Sequence, residues 1–304
     1  MDVALQLILS AIVLGSVYSL FGVSLNLVWG ISGVVNLAHG SFLVLGAYAL
    51  WQIQELHLPV VIFIPIVLVL LSGLFFVTYR LFLFAIGEEN LEFGGLLVTW
   101  GLSLIILATL RATVGTDLRK IQLLSGTVSI GSARVALAGA VTFLIAIAVA
   151  AGIALFLKLT NQGRRMRAVG SRPELAVAVG INVPAIRAMA FSIGMTMAVG
   201  SGMLFGTGYV FFPNIGDQFI IKAVTIVLVA GLGKLWRTWF VGMLLAVGET
   251  LAQYFWSVMI SQMLAYSMLV FVLIIRRSDI TKFARRFKVF SLARDLKSLQ
   301  PGRF

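Results

Sequence analysis

Apolar runs of about 20 residues recur from Val3 to Ile275 with few charges inside them, and a run of that length crosses a bilayer as a helix. Hydrocarbon offers no partner to backbone polar groups, so a spanning segment must satisfy them internally, and a helix does so. Spans are expected over about 3–25, 27–51, 58–83, 91–111, 133–159, 185–210, 219–235, 237–256 and 258–276. Only 11% of the 304 residues are charged and 60% are hydrophobic. A soluble domain carries about 25% charged residues to hold its surface in water. The expected fold class is therefore an all-α integral membrane protein, a polytopic bundle of about 8–9 transmembrane helices over residues 1–276. The first two spans are interrupted by Gly30, Ser32 and Gly33, and Asn36-Leu-Ala-His39-Gly40 places polar groups at membrane depth, which allows a broken or re-entrant helix there.

The formal charge of +12 does not point to nucleic acid, because the basic residues gather in short stretches between apolar runs. Lys158, Arg164, Arg165, Arg167, Arg172 and Arg187 follow the fifth span against the single acid Glu174. Arg276, Arg277, Lys282, Arg285, Arg286 and Lys288 follow the last span. Both stretches are expected inside, together with Lys234 and Arg237, which puts the N-terminus and Asp2 outside. The 112–132 loop then falls outside despite Arg119 and Lys120, the one misfit. Met1-Asp2-Val3 carries an acid and no basic n-region, so the first apolar run reads as a span rather than a cleaved signal. Residues 277–304 are expected as a basic cytoplasmic tail. Ile280, Phe283, Phe287 and Phe290 share one helical face there, as in an amphipathic helix lying on anionic membrane lipid.

No residues are arranged for catalysis. There is no GxxxxGK[ST] phosphate loop, no HExxH and no Ser/His/Asp set, so neither an enzyme nor a motor is expected on this chain. With no cysteine, two histidines and no acid cluster beside them, no metal or other cofactor is expected. The polar residues within spans are Asn26, Asn36, His39, Glu92, Thr196, Thr225, Glu249 and Gln253, and such groups tend to face a bundle interior or a water path. Asn36, His39 and Glu249 are the candidates for a translocation path, with interhelical hydrogen bonding as the plainer alternative. Gly194, Ala198, Gly202 and Gly206, and Gly242 with Ala246, recur every fourth residue and mark faces of close helix packing.

The most informative segment is 163–187, too polar to enter the bilayer. Pro173 at a helix start, Glu174 in its first turn and Gly180 beyond Ala176, Ala178 predict a short helix ended by the glycine. A short helix presented to the cytosol suits a permease driven by a separate motor.

Here the sequence resembles a known family. Glu174, Ala178 and Gly180-Ile181 match the Glu–Ala–Gly loop by which ABC importer permeases dock on their ATPases, in the form found in branched-chain amino acid permeases. Leu25-Asn26-Leu27-Val28-Trp29-Gly30, Gly33-Val-Val-Asn36-Leu-Ala-His39-Gly40 and Gly46-Ala-Tyr48 are similar to that family's N-terminal stretch. Gly231-Leu-Gly233, Gly242 and Gly248-Glu249 resemble its C-terminal one. The resemblance implies a cytoplasmic coupling helix at Glu174, Ala178, Gly180 and Ile181, and a pathway built from this chain with a second homologous permease or a second copy. It further implies two cytoplasmic ATPase subunits, an external solute-binding protein and a place in the cytoplasmic (inner) membrane of a prokaryote. Ala230, Lys234, Trp236-Arg237-Thr238 and Arg277-Ser-Asp279 depart from the family wording, some of them toward urea-type permeases, so the expected cargo is branched-chain or other hydrophobic amino acids with urea, short amides or aromatic acids as the alternative. An ion-coupled secondary transporter is the second alternative. It predicts broken helices in matched halves around an ion site, and Asn214-Ile-Gly216-Asp217-Gln-Phe219 faintly echoes Asn36-Leu-Ala-His39-Gly40-Ser-Phe42.

Overall fold

The computed structural model describes residues 3–86 and 91–275, so the tail and its expected amphipathic helix lie outside the described residues. In chain order the elements are α1 (Val3–Leu27), running into a π-helical turn at Val28–Ser32, α2 (His39–Glu55), α3 (Val60–Ile86) and α4 (Leu91–Val114). A hairpin of β1 (Thr127–Ile130) and β2 (Ala133–Ala136) follows, then α5 (Leu137–Leu159), α6 (Asn161–Ser171) and α7 (Pro173–Ala178). The chain continues with α8 (Val183–Gly208), α9 (Ile215–Ala230), α10 (Leu235–Phe255) and α11 (Val258–Ile275). The helical expectation holds, with two local corrections. Ala133–Ala136 pairs as a strand rather than opening the fifth span, and the break between the first two spans falls at 33–38 rather than near 26.

Among the described residues five helices are long and apolar enough to cross a membrane: Val3–Ser32, Val60–Leu81, Phe93–Val114, Leu137–Leu159 and Val183–Gly208. Burial separates their roles, since 72% of the apolar window of Val183–Gly208 is buried against 6% for Val60–Leu81. α8 is thus the central post, while α3 turns Val61, Val69, Leu70 and Leu81 outward.

The break after α1 leaves backbone groups without helical partners, and side chains from two other helices meet them. Gly33 adopts a left-handed φ of 78°, which ends the π turn, and its N–H donates to Trp29 O at 3.2 Å. Tyr79 Oη of α3 donates to Ser32 O at 3.1 Å, and Leu37 N–H donates to Thr99 Oγ1 of α4 at 3.1 Å. Asn36 Oδ1 accepts from Ala38 N at 2.9 Å, the Asx turn that starts α2. Irregular backbone inside a bundle survives only with its polar groups met in this way.

The echo between the Asn36 and Asn214 segments has a structural counterpart. α1, the break and α2 are matched by α8, the 209–214 turn and α9, and the two short helices begin against each other where Gly40 meets the backbone of Gly216. The matching continues outward, for α1 packs on α9 and α10 as α8 packs on α2 and α3. The two segments therefore repeat one packing arrangement. A side chain at Gly40 or Gly216 would strike the other's carbonyl group, which is why small residues stand there. The same reason applies to Gly46 and Gly202, which meet the carbonyls of Val199 and Leu43 and bring α2 against α8.

The ends of the bundle differ. At one, the hairpin is tied to α1 by Gln6, which exchanges hydrogen bonds with the Arg134 backbone at 2.9 and 3.0 Å. Arg119 stands beside it, its guanidinium 4.6 Å from the Trp51 ring centroid, its Nη2 donating to Val114 O at 3.3 Å and lying 3.7 Å from Asp117. The charge that fitted poorly in this loop is thus held by local partners. At the other end lie α6, α7 and the α9–α10 turn, where the Asn26 side chain donates to Gly231 O at 3.1 Å and accepts from Gly233 N at 2.7 Å.

Candidate functional site

α7 is built as the sequence predicts. Pro173 occupies its first turn, where a missing N–H costs nothing, and Glu174 adds an acid near the N-terminus. At its other end Gly180 takes a left-handed φ of 77°, with Gly180 N donating to Val177 O at 2.9 Å and Ile181 N to Ala176 O at 3.0 Å. These two bonds are a Schellman stop. Ala176 is the buried anchor and Ile181 packs on the core beneath it, while Glu174, Ala178 and Gly180 are exposed. Leu175, Val177 and Val179 are also exposed, at 55%, 61% and 74%. Three apolar side chains on and just beyond a six-residue helix in water are costly without something to cover them.

The candidate path residues fall into two groups. Asn36 and His39 come together on the central post: Asn36 Nδ2 lies 3.0 Å from Met195 Sδ of α8 and His39 Nδ1 lies 3.3 Å from it. His39 Nε2 lies 2.8 Å from Ser24 Oγ, and its ring packs 4.8 Å from Phe21. Both residues are fully buried. Asn36 also borders a cavity of about 390 Å³, closed mainly by Phe42, Phe75, Tyr79, Leu102 and Phe191, an apolar chamber with Asn36, Thr78 and Thr99 as polar points. His39 does not border it.

Glu249 belongs to a different cluster. Its Oε2 accepts from Lys222 Nζ at 2.8 Å and from Tyr18 Oη at 2.8 Å, and Lys222 Nζ lies 2.6 Å from that same hydroxyl. Lys222 also lies 4.7 Å from the Tyr18 ring centroid. The other carboxylate oxygen of Glu249, Oε1, is buried with no hydrogen-bond partner among the described residues. The triangle ties α1, α9 and α10 together. An aromatic chain links it to His39, through Tyr18–Phe219 at 5.5 Å, Phe219–Phe21 at 5.9 Å and then Phe21–His39. The sequence reading missed Lys222 and Tyr18. A lone lysine within Ile220-Ile221-Lys222-Ala223-Val224 was the available signal, since a cation in an apolar helix requires a partner.

Among the described residues no group of three or more His, Asp or Glu side chains could hold a metal ion.

The sequence matches the family described as branched-chain amino acid transport system, permease component, over residues 7–273. The chain belongs to that family. Curated relatives agree along nearly the whole length. The high-affinity branched-chain amino acid transport system permease protein LivH of Escherichia coli K12 is 26% identical over 294 residues, 91% of this chain and 94% of that one. LivH of Salmonella typhimurium LT2 is 25% identical over 291 residues, 91% and 94% of the two chains, and BraD of Pseudomonas aeruginosa is 25% identical over 291 residues, 91% and 95%. The chain is a transmembrane transport subunit and not an enzyme, as its family and these relatives are. In this permease the departures at Lys234 and Trp236 fall on the exposed α9–α10 turn and the exposed start of α10, while Glu249, where the family wording is kept, is buried on Lys222.

Proposed function

We propose that this permease is the membrane subunit of an ABC importer that carries branched-chain or other hydrophobic amino acids across the cytoplasmic (inner) membrane of a prokaryote. The observation that carries the reading is α7, a helix capped at its glycine and presenting uncovered apolar side chains beside Glu174. Two cytoplasmic ATPase subunits would cover it, with Glu174, Ala178, Gly180 and Ile181 forming the contact that transmits ATP-driven movement. A second homologous permease or a second copy, membrane lipid and an external solute-binding protein complete the assembly.

Nine passes fit the alternation of ends along the chain: α1 to α5 and then α8 to α11, with the hairpin end outside and α6, α7 and the tail inside. That orientation gathers the unpaired basic residues of 158–187 inside. The path runs past the break between α1 and α2, where the Asn36 chamber offers apolar walls to an aliphatic side chain and a few polar points to its backbone groups. His39 holds that break on α8, and Glu249 holds the α9 side of the same bundle.

The test is copurification and uptake together. Glu174→Arg and Gly180→Leu are expected to reach the membrane in normal amount, to lose the ATPase subunits on affinity purification and to abolish leucine uptake. Normal copurification with normal uptake would remove the coupling role.

A further inference from the structure

A second cavity opens at the α6–α7 end, larger than the Asn36 chamber at about 570 Å³. Its floor is the end of α1, with Leu27 and Ile31, and Leu157 stands on one wall. Lys158 of α5 and Arg167 of α6 line its mouth, and Trp236 closes the far side from α10. No acid lines it, and neither cation pairs with an acid among the described residues. The apolar surface continues from it. Trp236, Phe240 and Leu244 follow one another at four-residue spacing down α10 and are 56%, 67% and 65% exposed, while Leu155 and Leu159 are exposed on α5. A cavity with unpaired cations at its mouth, an apolar floor and an exposed aromatic stripe leading away matches one kind of molecule, a phosphate-bearing amphiphile.

We propose that this cavity binds an anionic phospholipid of the inner leaflet, its phosphate between Lys158 and Arg167 and its acyl chains along Phe240 and Leu244 of α10. The placement in the inner leaflet rests on the orientation proposed above, whereas the binding itself does not. Basic pockets between helices at the inner surface take such headgroups, and both Lys158 and Arg167 are exposed and accessible to one. Trp236 belongs at that level, where an indole ring meets both hydrocarbon and polar headgroups. An occupied cavity would brace α6 against the α9–α10 turn, beside the segment that carries α7.

Native mass spectrometry of the detergent-solubilised full chain tests this, with phosphatidylglycerol and phosphatidylcholine of the same acyl composition as probes. Phosphatidylglycerol is expected to be retained in preference, and the pair Lys158→Glu with Arg167→Glu to weaken its retention by about tenfold or more. Arg164→Glu with Arg165→Glu makes the same charge change on exposed residues of α6 that do not line the cavity, and is expected to weaken it less than about twofold. Ala154→Phe narrows the cavity without touching charge and is expected to lower retention of the lipid, so the test stands even where a charge reversal impairs folding. Equal retention of the two lipids, equal losses in the two charge pairs, or undiminished retention in Ala154→Phe would each overturn the proposal. Displacement of phosphatidylglycerol by inorganic phosphate would overturn it too, in favour of a soluble anion. None of these results bears on uptake, so the site and the importer reading fail separately.

Discussion

Lys222 on α9 and Glu249 on α10 form an ion pair at 2.8 Å inside the bundle, with their side chains only 11% and 6% exposed, and Tyr18 of α1 hydrogen-bonds both. Two charges so placed do not stabilise by attraction alone, because the desolvation of each offsets most of the Coulomb gain. They do make each other necessary. The pair fixes the rotation of α9 against α10 and of both against α1.

Removing one partner strands the other. Lys222→Met or Glu249→Gln is expected to destabilise the bundle by about 3–5 kcal/mol, while Lys222→Met with Glu249→Leu regains most of the loss. Thermal unfolding followed by size-exclusion chromatography measures this. A double variant as unstable as the singles would show that the pair is not an isolated unit.

The close approach of α2 to α8 is a steric matter. A Cβ at Gly202 would run into the Leu43 carbonyl oxygen, so Gly202→Ala is expected to cost about 3 kcal/mol or more through forced backbone separation. Gly200, two positions away on the same helix, has nothing within 4 Å of its Cβ position, so Gly200→Ala should stay within about 1 kcal/mol of the parent. Membrane yield and melting temperature of the two variants distinguish packing from propensity.

Asn26 meets three groups at once: the Gly231 carbonyl, the Gly233 N–H and, at 2.6 Å, Thr238 Oγ1. Asn26→Leu removes all three bonds, leaving Gly231 O only the longer 3.4 Å bond from Lys234 N and Thr238 Oγ1 only its bond to Lys234 O, and is expected to destabilise by about 1–3 kcal/mol. Hydrogen exchange should quicken at the 231–234 turn before it quickens elsewhere. Uniform quickening would argue against a local clamp.

Surface changes on α7 should separate stability from function. Leu175→Asp and Val179→Asp replace exposed side chains, so the melting point is expected to shift by no more than the equivalent of about 0.5 kcal/mol. Uptake is expected to stop, because a charge would replace an apolar contact with the ATPase. Unchanged uptake would mean that nothing docks on this face.

The sequence contains no cysteine, so orientation can be read with single introduced thiols. Ser125→Cys is exposed at the hairpin end and is expected to react with an impermeant maleimide on intact cells. Leu175→Cys should react only after the membrane is opened. The reverse pattern would invert the proposed topology.

Much of this protein was legible without coordinates. Membrane residence followed from 11% charged residues, and the capped helix at Pro173–Ala178 with its stop at Gly180 followed from local chemistry. The break near Asn36 was visible because Gly33 and polar residues interrupt an apolar run. Such features depend on neighbours within a few residues along the chain, and the sequence states those neighbours directly.

Glu249 could be singled out from the sequence, but its partners could not, since Lys222 lies 27 residues and Tyr18 231 residues away. The apposition of Gly40 and Gly216 is of the same kind, giving a faint sequence echo a shared contact. The cavity between α5, α6 and α10 also exists only once α1 has drawn three distant segments around its end. Local composition determined which segments enter the membrane and where they stop. Which faces meet inside it was decided by packing, because in lipid apolar faces gain little by choosing one neighbour over another, and only small residues, hydrogen bonds and a buried charge pair distinguish them.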